Sequence, residues 1–204
     1  MIRFRPTIVV LAAGSGRRFG GELHKLLQPF DGGTVLGSTL RHAVETQLPV
    51  VAVTTAALAP EVARQLATRD IVVLGADEAA GGMGRSLSAG VAERSGAPGW
   101  LVLPGDMPLV RPGSILAVAS ALEQYPVAYA QHRGRRGHPV GFAAELYSEL
   151  MLLSGDEGAR RIVARYPAQA VEVDDPGVLM DVDTGADLEA LRSVAAGAQT
   201  RMGS

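Results

Sequence analysis

Several short segments of this chain combine small residues with charged ones in patterns suited to phosphate chemistry. Leu11-Ala12-Ala13-Gly14-Ser15-Gly16-Arg17-Arg18-Phe19-Gly20 is followed by Lys25. Glycines let a backbone approach phosphate oxygens and turn its N–H groups inward. Arg17, Arg18 and Lys25 add positive charge suited to a triphosphate. Further on, Pro104-Gly105-Asp106-Met107-Pro108 sets a carboxylate just past a strongly apolar run. Such a carboxylate suits Mg²⁺, which takes one or two acids plus substrate phosphates. Taken alone, Asp106 reads equally well as a turn residue serving nearby backbone N–H groups. Asp181-Val182-Asp183-Thr184 places two acids at i and i+2, positions that share a face in extended backbone. Like charges that close favour a cation between or beside them. Asp183 could instead cap the helix that follows.

Three further segments fit an anionic ligand less specifically. Arg133-Gly134-Arg135-Arg136-Gly137-His138-Pro139-Val140 is locally basic in a slightly acidic chain. An anionic acceptor is its natural partner, with His138 as a hydrogen-bond donor. The same arginines also fit a solvated hairpin or loop. Gly81-Gly82-Met83-Gly84-Arg85-Ser86-Leu87 and Gly155-Asp156-Glu157-Gly158-Ala159-Arg160 each precede a helical pattern, where backbone N–H groups lie free. Other chemistries lack their residues. The P-loop string is missing, and Phe19 stands where G-x-G-x-x-G needs its last glycine. No acidic residue ends the run Val50–Thr54 to grip a ribose. There is no G-x-S-x-G elbow and no H-E-x-x-H pair.

These loops need elements to hold them, and the pattern supplies a regular alternation. Thr7–Leu11, Val50–Thr54, Ile71–Leu74, Trp100–Leu103, Val127–Ala130 and Val171–Val173 read as strands. Between them, Leu36, Leu40, Ala43, Val44 and Gln47 recur at helical spacing, with Thr34 as N-cap. Pro60–Ala67, Ser86–Glu93, Pro112–Leu122 and Asp156–Tyr166 also read as helices, and Thr184-Gly185-Ala186-Asp187 as a capping box opening the last one. Strand-then-helix alternation implies a mostly parallel sheet covered on both faces, a Rossmann-like three-layer α/β/α sandwich. Such sheets bind ligands beyond the carboxyl ends of their strands, where these loops fall.

The composition sets limits. At 204 residues, the chain is long enough for one domain, placed at 1–195, with the small and polar 196–204 expected to be a disordered tail. A formal net charge of −2 gives no footprint for nucleic acid, and 4% aromatic residues provide few stacking platforms. No apolar run is long enough to span a membrane, and the absence of cysteine suits the cytoplasm.

Taken in order, Leu11-Ala12-Ala13-Gly14, Gly82-Met83-Gly84-Arg85-Ser86-Leu87, Pro104-Gly105-Asp106-Met107-Pro108, Gly137-His138-Pro139-Val140, Gly155-Asp156-Glu157-Gly158-Ala159-Arg160 and Asp181-Val182-Asp183-Thr184 resemble the MobA-like NTP transferase family. The nearest branch is the molybdenum cofactor cytidylyltransferases, since Leu-Ala-Ala-Gly resembles the cytidylyl enzymes and guanylyl relatives tend to have Leu-Ala-Gly-Gly. The resemblance implies transfer of CMP from CTP to the phosphate of a pterin cofactor, with Mg²⁺ as cofactor. It implies that Arg17 and Lys25 act on the phosphates. It implies metal binding by Asp106 with a carboxylate from the Asp181–Asp183 pair. Leu11, Ala12, Ala13, Gly14, Ser15, Gly16, Arg18, Gly82, Met83, Arg85, Ser86, Pro104 and Gly105 would hold the nucleotide. His138, Pro139, Gly155 and Asp156 would lie on the acceptor side. Gly21-Glu22-Leu23-His24 lengthen the approach to Lys25 relative to the family, so Arg18 can share its role. An oxidation-prone pterin suggests a channelling partner, a molybdoenzyme or a chaperone. The rival readings are GTP or a sugar, polyol or small-acid phosphate as substrates, and a regulatory nucleotide-binding module without turnover.

Overall fold

The computed structural model describes residues 4–16, 19, 23–155 and 159–202, with side chains through Gly197 in the last helix. In chain order the elements are β1 (Thr7–Ala12), the short hairpin β2 (Pro29–Phe30) and β3 (Gly33–Thr34), α1 (Val35–Glu45), β4 (Val50–Thr55) and α2 (Ala59–Val62). Then come β5 (Ile71–Leu74), α3 (Ala76–Ala80), α4 (Gly82–Glu93), β6 (Gly99–Pro104), α5 (Pro112–Ala121), β7 (Val127–His132) and β8 (Arg135–Ala143). The chain closes with α6 (Tyr147–Met151), α7 (Arg160–Arg165), β9 (Ala168–Glu172) and α8 (Gly185–Met202). Seven strands form one sheet in the order β5-β4-β1-β6-β8-β7-β9. All its pairings are parallel except those of β8, which runs antiparallel to β6 and β7.

Strand alternation divides the core into two layers. Ile8, Val10 and Ala12 of β1 face α1, α5 and α8 through Leu36, Leu40, Ile115, Val118, Leu188 and Leu191. Val9, from the same strand, faces α4, α6 and α7 through Leu87, Val91, Leu150 and Ile162. Central strands covered on both faces must be apolar throughout, which is why β1, β4 and β6 read as unbroken hydrophobic runs. Sheet order reverses at β1, because β4 and β5 extend to one side and β6 lies on the other. The loops leaving β1 and β6 therefore part around a crevice at their carboxyl ends.

Local signals set several boundaries. The Thr34 hydroxyl accepts the Gly37 N–H at 2.9 Å and so caps α1. Thr184 and Asp187 exchange side-chain and backbone hydrogen bonds at 2.7 and 3.2 Å, forming the expected capping box at α8.

Folding gives four segments a definite form. The glycine segment 81–84 is no open loop: α3 ends at Ala80 and α4 begins at Gly82, whose φ of +82° permits the sharp joint. The basic segment becomes one arm of a hairpin, turned by Arg133 and Gly134 at φ +50° and +75°. That tight turn is why β8 runs antiparallel in an otherwise parallel sheet. Helix α2 stops at Val62, short of Ala67. Helix α8 continues to Met202, past Ala195. Among the described residues no helix is long and apolar enough to cross a membrane.

Helix α4 approaches the sheet closely at Gly90. A Cβ there would lie 2.4 Å from Val9 Cγ1 and 2.9 Å from Val53 Cγ2. Gly90→Ala should lower unfolding stability by about 1–3 kcal/mol through overpacking, despite its better helix propensity. Denaturant titration checks this, and a gain in stability would show that α4 can move off the sheet.

Candidate active site

The crevice begins where two strands end together. The Gly105 N–H donates to the Leu11 carbonyl at 2.8 Å, tying the exit of β6 to that of β1. A Cβ on Gly105 would sit 3.0 Å from that same oxygen, so a larger residue here would crowd the strand exit. The Thr39 hydroxyl donates to the Gly105 carbonyl at 3.1 Å from the α1 side. Asp106 follows immediately, and its direction is fixed by these contacts.

The second acidic segment is brought in from far along the chain. Asp175, almost fully buried, accepts hydrogen bonds from the Arg111 N–H (2.9 Å), the Ser114 hydroxyl (2.7 Å) and the Gly177 N–H (3.0 Å). The turn that follows packs on β8 so tightly that a Cβ on Gly137 would lie 2.1 Å from the Val178 carbonyl oxygen. Val182 is wholly buried, and its N–H donates to the Asp106 carbonyl at 3.0 Å. With Val182 turned into the core, Asp181 and Asp183 both face the crevice. Oxygens of Asp106, Asp181 and Asp183 lie within 4.8 Å of one another. Thr184, not Asp183, caps the last helix, which leaves the Asp183 carboxylate available to the site.

Three like charges this close need a counter-charge. Lys25 Nζ donates to Asp106 Oδ2 at 2.6 Å, to the Val182 carbonyl at 2.8 Å and to Asp183 Oδ1 at 3.1 Å. Burial pulls the Lys25 pKa down, but the charge and hydrogen bond of Asp106, joined by Asp183, leave it above the ordinary lysine value. Asp181 has a raised pKa: the part of it turned into the crevice loses water, and the charges of Asp106 and Asp183 add to the effect. Asp106 Oδ1 is buried with no hydrogen-bond partner. A buried carboxylate oxygen left over beside two further acids fits a hard divalent cation.

Around this group lies a cleft of about 1140 Å³. Leu11, Ala13, Gly14, Ser15 and Gly16 form one lip, with Lys25 beneath. Gly82, Met83 and Ser86 of α4 form another, and Pro104 and His138 contribute from the sheet. Five expected residues do not line it. Ala12 turns to the opposite layer by strand alternation. Gly105 spends its N–H and carbonyl on Leu11 and Thr39. Arg85 pairs with Glu78 at 3.1 Å, away from the cleft. Pro139 alternates away from His138 on β8. Gly155 binds through its backbone to Gly81 and Gly84, bracing the joint before α4. Arg17, Arg18 and Asp156 lie outside the described residues.

His138 lines the cleft with its ring half-buried. Burial lowers its pKa to about 4, so it is neutral at neutral pH. Arg160 and His24 also line the cleft, although neither was among the expected site residues. Arg160 stands at the start of α7, and only folding brings it to the cleft. His24 closes the longer approach to Lys25: its Nε2 lies 3.1 Å from the Gly14 carbonyl, and its Nδ1 accepts the Leu26 N–H at 3.2 Å. A histidine next to the loop lysine was the available signal, but its partners are set by the loop's path.

A switch-point crevice with a glycine-rich lip facing clustered carboxylates defines a nucleotidyltransferase built on an α/β sandwich. The chain belongs to the MobA-like NTP transferase family, whose domain matches residues 8–173. It is 33% identical over 197 residues to purine catabolism protein PucB of Bacillus subtilis, covering 90% of this chain and 94% of that one. It is 35% identical over 146 residues to phosphoenolpyruvate guanylyltransferase of Streptomyces avermitilis, covering 66% of this chain and 65% of that one. Among solved structures, Rv0371c of Mycobacterium tuberculosis superposes with a TM-score of 0.78 at 29% identity, covering 93% of this chain and 98% of its own. A structure of Rv0371c in complex with manganese superposes at 0.75 with 28% identity over the same shares.

Two substitutions should move cation binding in opposite directions. Lys25→Met removes a charge that competes for Asp106 and Asp183, so Mn²⁺ should bind more tightly in the absence of nucleotide. Asp181→Asn removes a ligand and weakens Mn²⁺ binding. It should also raise the thermal midpoint at neutral pH without metal. A carboxyl whose folded pKa is raised costs stability above that pKa, and its amide does not. Electron paramagnetic resonance titration and thermal melts read both effects. Equal Mn²⁺ affinity in all three proteins would place the cation elsewhere.

Proposed function

We propose that the protein transfers CMP from CTP to the phosphate of a molybdopterin-type cofactor, with Mg²⁺ at Asp106, Asp181 and Asp183. The observation that carries the transfer chemistry is the convergence of these carboxylates with Lys25 at the carboxyl ends of β1 and β6, opposite the glycine loop. A divalent cation there would neutralise charge on the α-phosphate. Gly14, Ser15 and Gly16 leave room for a triphosphate against the backbone. Lys25, within reach of both the acids and the loop, balances charge as pyrophosphate departs.

An acceptor phosphate oxygen forms the new bond to the α-phosphorus. The bond from that phosphorus to the bridging oxygen breaks, and its electron pair leaves with pyrophosphate. A phosphate monoester, with its second pKa near ~6, is already mostly dianionic at neutral pH, so no general base is needed. A His138 whose pKa is lowered to about 4 is a weak base, which agrees with that chemistry. Rate enhancement then comes from positioning and charge neutralisation. The choice of CTP is supported by Leu11-Ala12-Ala13-Gly14. A second reading, GTP with phosphoenolpyruvate, is supported by the likeness to the guanylyltransferase of Streptomyces avermitilis.

Pyrophosphate release with Mg²⁺, each triphosphate and each acceptor tests the proposal. Release with CTP and molybdopterin alone is the expected result; release with GTP and phosphoenolpyruvate alone transfers the assignment to the second reading. With the productive pair, Asp106→Ala should lower kcat by about 10²-fold or more while leaving the far-ultraviolet spectrum unchanged. An active Asp106→Ala enzyme would remove Asp106 from the metal site.

A further inference from the structure

We propose that Arg136 and Arg160 form an anion clamp that holds the reacting phosphate monoester of the acceptor, in a lobe of the cleft separate from the triphosphate loop. The inference rests on the nucleotidyl-transfer reading and assigns to it the residues that would select the acceptor.

The lobe encloses about 330 Å³ and is lined by Arg136, Gly137, His138, Val140 and Arg160. It opens into the main cleft, since Arg136, Gly137, His138 and Arg160 line both. The two arginines come from separate elements, β8 and the start of α7, so no local feature of either element brings them together. Arg136 is steadied from below, its guanidinium carbon 5.0 Å from the centre of the Tyr129 ring. Among the described residues no carboxylate pairs with Arg136 or Arg160, although the same cleft holds three acids. Two guanidiniums lining one lobe that no carboxylate lines create a demand for an anion.

His138 lines the same lobe and adds no charge. Its half-buried ring feels both guanidiniums and Asp181, and its Nδ1 has no hydrogen-bond partner. The positive character of the lobe therefore belongs to Arg136 and Arg160. The main cleft also holds the acidic group and the glycine loop, which do not line this lobe. Two anions must meet in this reaction, and a cation on the triphosphate side balances only one of them. A bidentate guanidinium pair on the other side balances the second and aims it at the α-phosphorus.

The test uses the full chain with inorganic phosphate as probe, followed by isothermal titration, and each nucleoside triphosphate titrated separately. Arg136→Gln and Arg160→Gln should each weaken phosphate binding by about tenfold, and triphosphate binding by less than ~2-fold. Arg160→Lys should recover part of the loss, since it keeps the charge without the fork. Both side chains are exposed, so the thermal midpoint should not change. Unchanged phosphate binding in the double variant overturns the clamp. So does a parallel loss of phosphate and triphosphate, which would place the arginines on the nucleotide tail. Selective loss of phosphate, in a protein that releases no pyrophosphate from any substrate pair, leaves the clamp standing and removes the transfer reading it serves.

Discussion

The site depends on one main-chain hydrogen bond, from the Val182 N–H to the Asp106 carbonyl at 3.0 Å. It joins two acidic segments that sequence separates widely and that charge would drive apart. Mutual repulsion among Asp106, Asp181 and Asp183 is opposed by contacts outside the acidic group: the buried Val182 side chain, the hydrogen-bonded Asp175 anchor and the tight fit of the Val178 carbonyl on Gly137. Lys25 reinforces the join, because its ammonium binds the Val182 carbonyl as well as two of the carboxylates. Without that apolar and backbone scaffold, the acids would separate to solvate individually.

Charge is arranged in zones across the cleft. Acids and Lys25 occupy the floor at the switch point, the glycine loop lies on one lip, and two arginines lie on another. The sheet itself contributes the neutral element between them, since burial keeps His138 uncharged. A chain of net charge −2 can therefore present a basic surface to a ligand in one small region. The same layout separates two binding tasks that a nucleotidyl transfer must keep apart until the phosphates meet.

Much of this was legible from residue order. Strands buried on both faces must be continuously apolar, so their positions show directly in the sequence. The caps at Thr34 and Thr184 are local chemistry and also show. The i, i+2 spacing of Asp181 and Asp183 was readable as a shared face because Val182 between them is apolar. Arg85 and Arg160 show where such reading stops. Both stand in glycine-rich strings at helix starts, yet Arg85 turns to Glu78 while Arg160 enters the cleft. Their side-chain directions follow from how α4 and α7 pack, and no local pattern encodes that.

The sequence by itself determined the layered α/β architecture, the apolar strands and the residue types gathered in the loops beyond them. Periodicity, capping and turn chemistry act over a few residues, so they are written in the order of the chain. Only the tertiary structure decided which charges meet. It set Lys25 against Asp106 and Asp183, lowered the His138 pKa by burial, and brought Arg136 and Arg160 from separate elements to one lobe. Those pairings are long-range, and their energies depend on burial and distance, which exist only once the sheet has formed and its helices have packed.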